Sequence, residues 1–325
     1  GIRDAQESRG LGDVYKRQEF GTPIYKNGKN KIEMRHERSM DETDVKILKL
    51  LWENGRMPIY RIAQRVGLSN AAVNKRIEAM KRRKELLGFS ILLNPSRILN
   101  NAVISIRARK RRKDVWDAIE KVKGMMHFVA CLGGRYYGEL WYRDALELEE
   151  KLAFIEELTS AYKMDIYYHR KLGNVKLSKL DWEIIKALRE DGRMPFSRLS
   201  KITGVSTKTI AKRWKKMQEM NVCKVYPIVN RPMARDLFWF SLFMEVDDLS
   251  LKNRVKRMEN LWRTSVFSEP RIVYGIFYAR TVKQIDDTME RVWGFREVKK
   301  IYYEIIVEEK FYPDYINYVE YKCRS

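Results

Sequence analysis

With 325 residues, 65 Lys+Arg against 43 Asp+Glu and a net charge of +22, the chain has room for two or more domains and favours polyanionic partners. A hydrophobic content of 45% excludes a disordered polypeptide, and no run of about 18 apolar residues reads as a membrane span. Cys131, Cys223 and Cys323 are scattered without CxxC spacing, which argues against a disulfide frame or structural zinc and for a reducing, cytoplasmic setting.

Residues 1–39 mix Gly, Asn, Lys and Arg without periodicity and read as a disordered or non-native leader; the first twenty or so resemble translated adapter sequence. From Asp41 the chain becomes regular, and it then repeats itself. Residues 44–76 and 181–213 align without a gap at an offset of 137, with 14 of 33 positions identical, including Gly-Arg-Met-Pro at 55–58 and 192–195. A period that long marks a duplicated domain, since solenoid repeats run to roughly 20–50 residues.

Each copy begins with a capping box, Asp41-x-x-Asp44 and Ser178-x-x-Asp181. Ile47, Leu48 and Leu51 give the first helix its apolar face, Gly55 stops it, and Pro58 opens a second helix. There Ile59, Ile62, Ala63 and Val66 recur at the spacing of a buried stripe. Gly67 supplies a left-handed turn and Ser69 caps a third helix, whose Val73, Ile77 and Met80 face inward. Gly204, Ser206, Ile210, Trp214 and Met217 repeat the pattern, so each unit reads as a helix-turn-helix. The apolar stretches 86–93 and 222–229 follow as wing strands.

Residues 101–172 then read strand, helix, strand, strand, helix, strand: strands 102–109, 126–131, 137–142 and 164–170, helices 113–122 and 146–162. The second copy gives strands 238–246, 265–268, 271–278 and 299–308 with helices 251–261 and 282–293. This is the split βαβ, ferredoxin-like order. Each such sheet has helices on one face and needs cover on the other, which the other copy can provide. The fold class is therefore α+β, two winged helix-turn-helix domains (40–98 and 176–234) alternating with two ferredoxin-like βαββαβ domains (99–175 and 235–325, the latter with a C-terminal tail).

The capped first helix, the Gly-Arg-Met-Pro entry, Gly-Leu-Ser at 67–69 and the strand end Leu92-Leu93-Asn94-Pro95 resemble the Lrp/AsnC (feast/famine) transcriptional regulators. The resemblance covers roughly 40–172 well and 177–311 more loosely. It implies RAM/AsnC-type effector domains, double-stranded DNA as partner and a pseudo-dimer built into one polypeptide, with a small-molecule effector and further homodimerisation as the family's other expectations. The chain departs from the family between the middle strands. Where amino-acid sensors carry a Gly-Asp-Tyr-Asp-like turn, it has Gly133, Gly134, Arg135 and Tyr136, a candidate effector loop that argues against a free amino acid.

A recognition helix meets base edges while Lys and Arg hold phosphates. The outward residues of the two third helices are Asn70, Ala71, Asn74 and Lys75, then Thr207, Lys208, Ala211 and Lys212; these are the candidate base readers. The candidate phosphate contacts are Arg76, Lys81, Arg82, Arg83 and Lys84, then Arg213, Lys215 and Lys216. Because the two outward sets differ, the expected operator is not a true palindrome. The rival reading is an enzyme on the same plan, resembling the siroheme decarboxylases, with His127, His169, Arg135 and Arg143 as candidates. No catalytic triad, phosphate loop or zinc spacing is present in the sequence, so no catalytic residue, metal or cofactor is assigned.

Overall fold

In the computed structural model, residues 40–234 and 236–324 are described; the reading of residues 1–39 as a leader lies outside them. Helix α1 (Glu42–Glu53) starts as its sequence dictates: Asp41 accepts from the Asp44 backbone N–H and Asp44 accepts from that of Asp41. Helices α2 (Ile59–Val66) and α3 (Asn70–Arg82) complete the unit around buried Val45, Leu48, Ile62, Val73 and Ile77. Gly67, at φ 70°, makes the left-handed turn between them, a conformation in which a β-carbon is strained.

Strand β1 (Leu86–Leu93) leads into the first βαββαβ repeat: β2 (Asn100–Ala108), α4 (Arg112–Ile119), β3 (Met125–Cys131), β4 (Arg135–Tyr142), α5 (Ala145–Thr159) and β5 (Ala161–His169). The second helix-turn-helix is α6 (Lys179–Glu190), α7 (Phe196–Thr203) and α8 (Thr207–Glu219), followed by β6 (Cys223–Val229). The second repeat comprises β7 (Phe238–Val246), α9 (Leu251–Val255), β8 (Leu261–Glu269), β9 (Ile272–Ala279), α10 (Val282–Trp293) and β10 (Val298–Phe311), with α11 (Tyr315–Arg324) after it.

The wing strands do not fold back on their own units. β1 pairs antiparallel with β6, from Leu86 opposite Val229 to Leu93 opposite Cys223, so each copy's strand satisfies the other's backbone. Each helical unit then docks on the opposite copy's strand: the Gly55 N–H donates to Val225 O at 3.0 Å and the Gly192 N–H to Phe89 O at 2.9 Å. A β-carbon on Gly55 would lie 2.7 Å from the Val225 backbone, which explains glycine at the head of the repeated motif.

The two four-stranded sheets, β3-β4-β2-β5 and β8-β9-β7-β10, join at both edges into a closed eight-stranded barrel, which removes free edges. The outer face of each sheet packs on its own helices: Ile104 and Ile106 against Val115 and Ile155, Leu242 and Met244 against Val255 and Ile285. The inner faces meet around Val129, Tyr137, Tyr167, Phe243 and Ile276. Two expectations change here. The helix expected over 251–261 stops at Val255, and β8 begins at Leu261. The stretch expected as a tail is helix α11, whose Tyr315, Ile316 and Val319 are buried against the second helix-turn-helix.

Candidate nucleic-acid interface

The third helix of each unit stands on the surface. Ser69 caps α3 by accepting from the Ala72 N–H at 3.1 Å, and Ser206 caps α8 by accepting from that of Thr209 at 3.2 Å. With Val73, Ile77 and Met80 buried beneath it, α3 presents Asn70, Ala71, Asn74 and Lys75 to solvent. Over buried Ile210 and Met217, α8 presents Thr207, Lys208 and Lys212, while Ala211 is half-buried. The two faces match in position and differ in chemistry: two amides and one lysine against one hydroxyl and two lysines.

The basic residues divide into two groups. Lys81, Arg82, Lys84, Lys215 and Lys216 are exposed, with Lys81 beside Glu78 at 2.8 Å and Lys215 beside Glu219 at 3.7 Å. Arg76, Arg83 and Arg213 have other work. Arg76 donates to Asp41 at 2.8 Å and Asp44 at 2.9 Å, and Arg83 bonds Glu85 at 2.7 Å. Arg213 donates to Asp181 at 2.7 Å and Ser178 at 2.9 Å. Burial works against the Asp181 charge, but the bonds from Arg213 and Ser178 outweigh it and hold its pKa below the ordinary aspartate value. Asp41 behaves likewise beside Arg76. These arginines tie the recognition helix to the capping box of the first helix, which fixes the angle at which the helix is offered.

A second pair of arginines, which the sequence reading passed over, joins the two units. Arg56 donates to Gly192 O at 2.7 Å and Met194 O at 3.0 Å; Arg193 donates to Gly55 O at 2.6 Å and Met57 O at 3.1 Å. Each guanidinium also lies over the opposite unit's aromatic ring, Arg56 at 4.7 Å from Phe196 and Arg193 at 4.3 Å from Phe89. Burial lowers the pKa of both, and the Arg56 charge lowers that of Arg193 further. The signal was present in the verbatim Gly-Arg-Met-Pro repeat, but nothing local says that each arginine reaches across to the other copy.

The other candidates lie apart from this face. Gly133 and Gly134, at φ 83° and 78°, form the β3–β4 turn; Arg135 pairs with Glu304 at 3.2 Å and Tyr136 is buried against Phe128. His127 is buried, bonds Glu309 at 3.1 Å and stacks on Phe311 at 4.1 Å, while Arg231 pairs with the same carboxylate. Burial lowers the His127 pKa to about 4 despite Glu309. His169 lies 3.9 Å from Glu139, and burial pushes that carboxyl up to about 7. Arg143 is exposed and pairs with Asp144. Three of the four residues of the enzyme reading, His127, Arg135 and Arg143, are thus engaged by three different carboxylates, whereas the buried His169 Nε2 has no hydrogen-bond partner among the described residues. Among the described residues no group of His, Cys, Asp and Glu could hold a metal ion, and no helix is long and apolar enough to cross a membrane.

Two helix-turn-helix units with exposed third helices, carried on a duplicated sheet platform, define a tandem helix-turn-helix protein. Residues 40–81 and 177–218 each match the AsnC-type helix-turn-helix domain, so the chain carries that domain twice. It is 31% identical over 84 residues to the HTH-type transcriptional regulator LrpA of Pyrococcus horikoshii, covering 26% of this chain and 60% of LrpA. That alignment spans less than two thirds of the relative's length. Over 146 residues it is 28% identical to the proline dehydrogenase transcriptional activator of Rhodobacter capsulatus, covering 43% of this chain and 82% of that protein. The solved siroheme decarboxylase NirDL superposes with a TM-score of 0.53 over 87% of this chain and 99% of that one at 13% identity, a likeness of fold.

Proposed function

We propose that this chain is a sequence-specific double-stranded DNA-binding regulator that acts as an intramolecular pseudo-dimer, laying α3 and α8 into successive major grooves. The observation that carries the reading is the reciprocal clamp of Arg56 and Arg193, which holds two exposed, capped recognition helices in one fixed relation. Asn70 and Asn74 suit adenine and Lys75 suits guanine, whereas Thr207, Lys208 and Lys212 suit a different half-site. Lys81, Arg82, Lys84, Lys215 and Lys216 supply phosphate contacts, and Arg76, Arg83 and Arg213 position the helices. Selection from random duplexes with the purified chain tests this: two unlike half-sites at one spacing support it, and a symmetric pair or no enrichment removes it.

The fold shared with NirDL raises an enzyme as the second reading. Against it, His127 is buried and bonded to Glu309, a carboxylate that Arg231 also pairs with. A Soret band in the purified chain, or decarboxylation of added siroheme, would establish the enzyme instead.

A further inference from the structure

The barrel holds its two helix-turn-helix units differently. Beside α6, α11 packs against the first repeat: Tyr318 donates to Glu147 at 2.7 Å, Lys322 pairs with Glu147 at 3.0 Å and Glu320 with Lys186 at 3.0 Å. The 137-residue offset relates Lys49, Tyr278 and Gln284 to Lys186, Trp141 and Glu147. Lys49, Tyr278 and Gln284 line a groove of about 700 Å³ between α1 and α10, and among the described residues no helix fills it.

Four cations and three carboxylates line the groove, so cations are in excess by one. Lys46, Lys49, Arg280 and Arg291 line it together with Glu42, Glu259 and Asp287. Asp287 is taken by Lys283 at 3.2 Å, and among the described residues Lys46, Arg280 and Arg291 form no ion pair. Lys49 donates to Glu259 O at 3.1 Å and Arg280 to Met40 O at 3.2 Å, so the first unit is tied here through carbonyls. The volume lies within the range of about 300–1,000 Å³ typical of small-molecule sites.

We propose that this groove binds a small organic anion, bearing carboxylate or phosphate groups, between the first helix-turn-helix and the second βαββαβ repeat. Lys46 on α1 reaches the anion from one wall, and Arg280 and Arg291 reach it from the other. The anion fastens the first unit to the barrel much as α11 fastens the second. Its effect on half-site affinity rests on the DNA-binding reading; the binding itself does not.

Titration of the full chain without DNA, at constant ionic strength, tests the site with citrate and, separately, inorganic pyrophosphate as probes. At least one should bind saturably, and whichever does distinguishes carboxylate from phosphate chemistry. The Arg280→Ala/Arg291→Ala double variant should weaken it by about tenfold or more, as expected for lost charged hydrogen bonds. Lys46→Ala, a substitution on an exposed helix face, should weaken it severalfold, and Lys322→Ala on α11 should leave it unchanged. Saturable binding by neither probe, or wild-type binding by both Lys46→Ala and the double variant, overturns the proposal.

Discussion

Arg56 and Arg193 exchange places across the molecule: each springs from one copy's Gly-Arg-Met-Pro turn and ends on the carbonyls of the other's. The two guanidiniums meet main-chain dipoles rather than carboxylates, so the join is directional and each half depends on the other. Arg56→Ala or Arg193→Ala should each cost about 1.5–3 kcal/mol, the range for hydrogen bonds to charged groups. Urea unfolding measures this, and equal stability of variant and wild type would show that the clamp contributes nothing.

Gly55→Ala should be more damaging than its size suggests. Its β-carbon would come within 2.7 Å of the Val225 backbone, which cannot swing aside as a side chain can. Overpacking of this kind costs typically about 1–3 kcal/mol. Gly192→Ala meets the Phe89 and Ser90 backbone at 3.0 Å and should cost less. The order of the two melting temperatures decides it.

Much of this fold was legible in residue spacing. The capping boxes, the glycine turns and the inward stripes of α1 to α3 are local, and they formed where the sequence placed them. The helix expected over 251–261 failed because Leu251, Val255 and Met258 keep helical spacing even where the chain turns after Val255. Burial pattern alone does not separate a helix from a helix followed by a turn. The β1–β6 exchange and the joining of β10 to β3 were hidden for another reason: pairing partners lie 130 or more residues apart, and no local pattern encodes them. At the interface, the outward faces of α3 and α8 were readable from periodicity. The diversion of Arg76 and Arg213 to acidic caps was not, because it depends on the angle between two helices.

Acid should loosen the second unit through Asp181. Its folded pKa lies below its ordinary value of 3.8, so its stabilising contribution is fully present above that value and is lost as pH falls through the folded pKa. Arg213→Ala removes the main partner and should flatten this acid limb. Acid titration followed by circular dichroism checks it, and an unchanged limb in the variant would assign the transition to other groups.

Lys75→Ala should weaken one half-site selectively, by about 1–3 kcal/mol for a base-reading contact. Lys212→Ala should weaken the other. If six to ten phosphates are neutralised, wild-type affinity should fall about 10³–10⁵-fold between 50 and 200 mM salt. Gel-shift titration on separated half-sites measures both, and uniform losses across the two would mean that neither lysine reads a base.

Rigid coupling of the two recognition helices is tested most directly by inserting five base pairs between the half-sites of a selected operator. Half a helical turn places the second groove on the far side of the duplex, so two-headed binding should be lost and affinity should drop about 10²–10⁴-fold toward that of one half-site. Unchanged affinity would mean that the two heads move independently, and would contradict the role given to Arg56 and Arg193.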